Sequence, residues 1–340
     1  MNPYEGGETV VTARRLGATD GVIQTPDGGT HYVFGFVDLT GVPEPEIYAY
    51  RGKAELPAPL VVAAEGEVLQ LTLTNLGLPG RPDLDDTHTI HFHGFPNQIP
   101  LYDGVPEASI SVPVGRDFTY HYLPLDPGTY MYHCHFEPVE HIQMGMVGPL
   151  VVRPQSGDHF AYNDPATAFD REYFIFLTEL DPDVHAAIAA VQEFDWTDYR
   201  PQYWLLNGRS YPDTLLPGVA LPAQRYSSLI QANQGEHVLL RFINLGYQQH
   251  AIRIAGIPLT VIGLDAQPLG SLLTQRRSVI YTGAGQTADV LFTAPAPGEY
   301  PLMSRSYHRN NVAGFGPGGM LTTVRIHPAG TLGPQTGPNA

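Results

Sequence analysis

The 340-residue chain has a single cysteine, Cys134, so no internal disulfide can form. Lysine is scarce and only 15% of residues are charged, with 18 Lys and Arg against 34 Asp and Glu. The resulting formal net charge of -16 excludes a basic stripe for nucleic acid and argues against docking on anionic membrane. No apolar run approaches the ~20 residues of a membrane span. The N-terminus, Met1-Asn2-Pro3-Tyr4-Glu5-Gly6-Gly7, lacks the charged-then-apolar pattern of a secretory leader. Long helix-forming runs are few as well. Gly (36) and Pro (32) are abundant instead, which favours many short strands joined by turns.

The length suggests two domains, and the chain repeats itself at an offset of about 160–170 residues. Residues 65–77, Glu-Gly-Glu-Val-Leu-Gln-Leu-Thr-Leu-Thr-Asn-Leu-Gly, match 234–246; residues 88–94 match 250–256; Pro127-Gly128-Thr129-Tyr130 matches Pro297-Gly298-Glu299-Tyr300. Each copy alternates apolar and polar residues over short runs, as in Val68–Thr74, which is the pattern of an all-β sandwich or Greek-key barrel. The expected division is 1–155, a linker at 156–171, a second module at 172–328 and a flexible Gly/Pro-rich tail at 329–340. Only residues 182–193, rich in alanine and preceded by Asp181, read as a helix.

His133-Cys134-His135, followed by His141 and Met146, places the lone thiol in a segment rich in imidazole and thioether. One thiolate, two imidazoles and a weak thioether are what a blue, electron-transferring copper site requires. Upstream, His88-Thr89-Ile90-His91-Phe92-His93-Gly94 supplies more imidazoles than one site needs. Strand alternation sorts them: His133 and His135 face opposite to Cys134, and His91 and His93 opposite to His88. Cys134, His88, His141 and Met146 therefore converge on one copper, and His91, His93, His133 and His135 on a second site. A lone histidine on a strand is usually just hydrogen-bonded, which is how His31, His121, His159, His185, His237 and His327 are read. Zinc would favour paired cysteines, and a 2-His-1-carboxylate iron site would need no cysteine.

At these residues the chain resembles the multicopper oxidases, in particular their two-domain, laccase-like bacterial forms, from about residue 30 to 328. Leu101-Tyr102-Asp103-Gly104-Val105-Pro106, Leu206–Asp213 and Gly285–Phe292 carry further likeness. The resemblance implies two tandem cupredoxin-like domains, a homotrimer, an extracytoplasmic location, and electrons passing from a small-molecule or protein donor to dioxygen. By motif position it implies type 1 copper ligands His88, Cys134, His141 and Met146, with His141 presenting an imidazole edge to the donor. His91, His93, His133 and His135 would be half of a larger copper cluster.

The second module departs from that pattern. Arg253, Ala255, Met303 and Arg305 stand where the remaining cluster histidines belong, and Ser304 stands at the cysteine position. His250 alone keeps its place, as the counterpart of His88, and His308, just beyond the altered motif, is a candidate ligand to the second copper site from across a subunit interface. Arg253 and Arg305 are candidates for binding an anion or for pairing with a neighbour's acids. Three functions follow: a laccase-like oxidoreductase with an incomplete oxygen site, a nitrite-reductase-like enzyme with type 1 and type 2 copper, or a non-catalytic blue-copper carrier.

Overall fold

The alternation in Val68–Gly77 becomes a strand whose Leu69, Leu71 and Leu73 are buried while Gln70 and Thr72 are only half-buried. Burying each such leucine contributes about 1.5–3 kcal/mol, which fixes the strand's register against the core. A computed structural model describes residues 10–84 and 86–339. Its first domain holds β1 (Val11–Gln24), β2 (Thr30–Asp38), β3 (Val61–Ala64), β4 (Val68–Gly77), β5 (His91–His93), β6 (Asp117–Tyr122), β7 (Gly128–His133) and β8 (Val147–Arg153). They form two four-stranded sheets, β2-β1-β4-β6 and β3-β8-β7-β5, with Leu71, Phe92, Tyr120, Tyr132 and Cys134 packed between them.

The second domain repeats the plan with β9 (Arg171–Leu180), β10 (Tyr203–Leu206), β11 (Ile230–Asn233), β12 (His237–Asn244), β13 (His250–Ile254), β14 (Leu259–Leu264), β15 (Gln267–Pro268), β16 (Gln275–Arg277), β17 (Ile280–Thr282), β18 (Gln286–Thr293), β19 (Gly298–Ser304) and β20 (Leu321–His327). One sheet runs β10-β9-β12-β18-β14-β15 with β16 paired to β14, and the other runs β11-β20-β19-β13-β17. In both domains a long parallel pair, β1 with β4 and β9 with β12, lies inside one sheet. The all-β expectation holds.

Three local expectations differ from the structure. The expected helix at 182–193 ends early: α2 is Pro182–Ala189, capped by the Asp181 side chain, and Val191 turns out of it at φ 52°. A second helix, α1 (Pro138–Met144), was not expected; it begins on the proline that suits a first turn and stops at Gly145. The tail is tied down rather than loose, because the Gln335 and Asn339 side chains bond the backbone of Glu172 and Phe174 beside β9. The linker segment is likewise anchored: Tyr162 is buried and donates to Asp289 Oδ2 at 2.6 Å.

Candidate metal centre

The antiparallel pair β5–β7 sets the site. Its register places His91 opposite His133, Phe92 opposite Tyr132 and His93 opposite Met131, so alternate residues enter the core while the histidines leave it. His88 precedes β5 in a two-residue bridge to Val112 and is fully buried. Cys134 follows β7, and its N–H donates to Met146 O at 3.1 Å. Met146 N–H donates in turn to His141 O at 2.9 Å, folding α1 and its C-terminal turn back onto the cysteine. Gly145, at φ 115°, permits this: a Cβ there would lie 2.9 Å from Phe34 O.

The first donor cluster is therefore assembled. Cys134 Sγ lies 3.3 Å from His141 Nδ1 and 3.9 Å from His88 Nδ1, and all three side chains are buried. Ligands about 2.0–2.3 Å from one ion must sit at about such separations from each other, so the set fits a metal. Met146 and Met144 are both buried in the hydrophobic core that encloses Cys134. Burial pushes the Cys134 thiol up to about 12, although the Thr89 N–H donates to Sγ at 3.4 Å. A cation is what would lower it again, since a coordinated thiol loses its proton. Burial also drives His141 down to about 4 and His88 well below the ordinary histidine range, so both rings keep free lone pairs at neutral pH.

The exposed imidazole edge expected at His141 is not found. Its ring is fully buried, packed against Phe34 with centroids 5.7 Å apart; Nε2 lies 4.0 Å from Glu137 Oε2, and the Glu140 carboxylate stands in the same group within 4.8 Å. Tyr247 of the second domain also donates to Val139 O and covers α1. A donor would meet the Glu137 carboxylate before the ring.

The second cluster gathers on the other side of β5 and β7. Donor atoms of His91, His93 and His133 lie within 4.8 Å of one another, with His93 Nδ1 3.3 Å from His133 Nε2. The His135 ring joins at 5.1 Å from that of His91. His133 Nδ1 is held by Cys134 O at 2.8 Å, leaving Nε2 for the cluster. His91 Nδ1 is likewise held by Asp103 O at 2.7 Å, with the Asp103 carboxylate at 3.3 Å. Asp103 carries no role in a reading of the sequence alone. Its loop is pressed onto β5 through Gly104, where a Cβ would stand 2.0 Å from Ile90 O. A carboxylate behind a histidine orients the ring and raises its basicity as a ligand.

Across the cluster a cleft of about 240 Å³ opens between the domains, lined by His93, Thr129, Asp265, Gly285 and Thr287. A larger cleft, about 810 Å³, lies on the second domain among Leu273, Ile280, Tyr281 and Arg305, away from both clusters. Of the two, the smaller is the one bordered by a cluster histidine, His93. Arg253 is half-buried, Arg305 and His308 are exposed, and among the described residues His308 is grouped with neither histidine cluster. His308 packs edge-on to Trp204 at 5.8 Å.

Protonation of each of two buried histidines should cost the metal-free protein stability in acid. His141 and His185 are both held near about 4 by burial, below their unfolded value of 6.5. Between pH 6.5 and 4 the unfolded chain thus binds more protons, and stability falls as pH falls, by about 3 kcal/mol per histidine. Glu55 and Glu140, pushed up to about 7 by burial, work in the opposite sense. The share of one ring is read from urea midpoints of the parent and His185→Gln at pH 7 and 4.5. A pH slope unchanged by that substitution would show that the ring is not held neutral.

Two stacked β-sandwich domains with one Cys/His cluster and one all-His cluster define a two-domain cupredoxin with the donor set of a copper protein. The multicopper oxidase family profile matches residues 39–157, and a second multicopper oxidase profile matches 171–325. The chain belongs to the multicopper oxidase family. It is 24% identical to the copper-containing nitrite reductase of Neisseria gonorrhoeae over 75% of this chain and 58% of that protein. It is 28% identical to Laccase-5 of Arabidopsis thaliana over 76% of this chain and 42% of that protein. The chain thus spans about half the length of such curated relatives. The crystal structure of blue copper oxidase from Nitrosomonas europaea matches with a TM-score of 0.75 at 24% identity, over 93% of this chain and 86% of that one, which establishes the fold.

Proposed function

We propose that the chain is a laccase-like copper oxidoreductase in which His88, Cys134, His141 and Met146 hold a type 1 copper and His91, His93, His133 and His135 hold a second copper site. Copper, when bound, supplies the one-electron chemistry that no side chain here can perform. One observation carries the reading: a continuous His133-Cys134-His135 run contributes Sγ to the buried cluster and Nε2 to the other. Cys134 and its peptide links would conduct electrons from a donor near Glu137 and Glu140 to an acceptor, dioxygen, at the interdomain cleft. Asp103 and Cys134 O hold the His91 and His133 rings so that Nε2 faces the acceptor side.

The oxygen site is incomplete by the family's usual rule, because the second domain supplies Arg253, Ala255, Met303 and Arg305 where histidines are expected. In the homotrimer that the resemblance implies, a neighbouring copy would bring Arg253, Arg305 and His308 toward the histidines, the two arginines suited to binding an anion and His308 to ligating the second copper. The similarity to nitrite reductases supports nitrite as a second acceptor reading. An extracytoplasmic location belongs to the same proposal; no helix among the described residues is long and apolar enough to cross a membrane.

Copper per chain, counted by elemental analysis with quantitative spin resonance and combined with oxygen uptake, tests it. Two or more coppers with donor-dependent oxygen uptake is the expected result. About one copper, all type 1, would replace the oxidase by a blue-copper carrier. Nitrite turnover without oxygen uptake would favour the second reading.

A further inference from the structure

Two backbone hydrogen bonds correspond between the domains around a point that, among the described residues, only the first equips for a metal. Cys134 N–H donates to Met146 O at 3.1 Å, and Ser304 N–H donates to Met320 O at 3.1 Å. Met146 N–H donates to His141 O at 2.9 Å, and Met320 N–H donates to Arg309 O at 2.9 Å. This register makes Met320 the counterpart of Met146, and Arg309 the counterpart of His141. Ser304 and His250 stand at the places of Cys134 and His88, both fully buried. Even the ring packing repeats. Phe34, paired with Asp20 across β1–β2, packs on His141; Trp204, paired with Glu179 across β9–β10, lies 4.6 Å from the Arg309 guanidinium carbon.

Arg309 Nη1 lies 2.9 Å from His250 Nδ1, the ring nitrogen that in His88 faces the cysteine sulfur. The guanidinium is buried, stacked on Trp204, and also donates to Gln249 O. A buried cation of this kind needs a nearby anion. The Glu179 carboxylate lies on the far side of the same ring, its Oε2 3.4 Å from His250 Nε2, and attracts the guanidinium across it. We propose that Arg309 occupies the position of a copper ion, so that the second domain is a blue-copper site in which a side-chain cation stands for the metal and Glu179 for the thiolate charge. Three of its parts, His250, Met320 and the aromatic wall, remain in place.

The consequence is independent of which acceptor the first domain serves: the second domain cannot take up electrons, yet it retains a latent cation site. Two substitutions should reopen it. In a Cys134→Ser background, where no thiolate remains to colour the first site, Ser304→Cys with Arg309→His should add about one copper per chain and a visible thiolate–copper band. Ser304→Cys alone, with the guanidinium still in place, should add neither. The proposal is overturned if the single variant binds copper equally well, or if the folded double variant binds none. Should the double variant fail to fold, Arg309→Ala decides: its thermal midpoint should fall and be restored by millimolar guanidinium but not by sodium at equal ionic strength. A midpoint that guanidinium leaves unrestored would overturn the proposal.

Discussion

Cys134→Ser should abolish the intense visible absorption of the copper-loaded protein and remove about one copper per chain, while copper at the far histidines stays bound. Cys134 is the only thiol in the sequence, so no other residue can replace the thiolate as a ligand. A serine hydroxyl fits the space but is a hard, strongly protonated donor, and it would leave His88 Nδ1 and His141 Nδ1 as the remaining close pair. Donor-dependent turnover should fall to background, because the one covalent run joining the two clusters no longer ends in a ligand. The cluster of His91, His93 and His133 does not use the sulfur and should keep its copper. The check is an absorption spectrum with elemental analysis on folded protein. A surviving band would sink the assignment of the first site, whereas joint loss of all copper would show that the two sites load together.

Much of this geometry was legible because alternation along a strand is rigid. His91 and His93 flanking Phe92 had to share a face, and a single buried Phe92 between them ties that face to the outside of the sandwich. The same rule separated Cys134 from His133. What parity cannot show is where a loop returns. Asp103 reaches His91 only because Gly104 lets its loop approach Ile90, a contact between segments with no shared period. α1 was missed because seven residues, Pro138-Val139-Glu140-His141-Ile142-Gln143-Met144, hold too few turns for a helical stripe to stand out. That helix is also why His141 is buried rather than presented at the surface.

Arg309 shows a second kind of blindness. The cysteine-to-histidine spacing is seven residues in the first domain, from 134 to 141, and the matching step from 304 to 309 is five. Aligning the repeats by spacing alone therefore leaves Arg309 without a counterpart. Only the paired backbone bonds, Met146 to His141 and Met320 to Arg309, reveal the equivalence.

Arg241→Met should cost about 3–5 kcal/mol of stability, because it leaves two buried carboxylates without their shared cation. Arg241 is buried on β12, with Nε 2.5 Å from Glu172 Oε1 and Nη1 3.5 Å from Asp289 Oδ2. Its Nη1 also donates to Thr129 Oγ1, on β7 of the first domain, at 2.8 Å, and Thr129 donates to Asp289 Oδ1 at 2.5 Å. One guanidinium thus joins three strands and both domains. Burial alone would raise the Glu172 carboxyl, yet Arg241 and Arg153 override it and hold it below the usual range. A depressed carboxyl adds stability above its unfolded pKa and loses it as pH falls through the folded one. Without Arg241 that stabilisation should shrink, and unfolding should begin at higher pH. Pairing Arg241→Met with Glu172→Gln should recover part of the loss, since an amide needs no counter-charge. Urea midpoints of the parent, single and double variants at pH 7 measure both steps; a single-variant loss under about 1 kcal/mol would mean that the network is no more than a surface-like pair. Thr129 and Thr287 also line the cleft at His93, and Thr287 Oγ1 donates to Thr129 O at 2.9 Å. The charge network that bridges the two domains therefore also backs the wall of the cleft at His93, and loosening it should disturb that side before it reaches the buried Cys134 cluster.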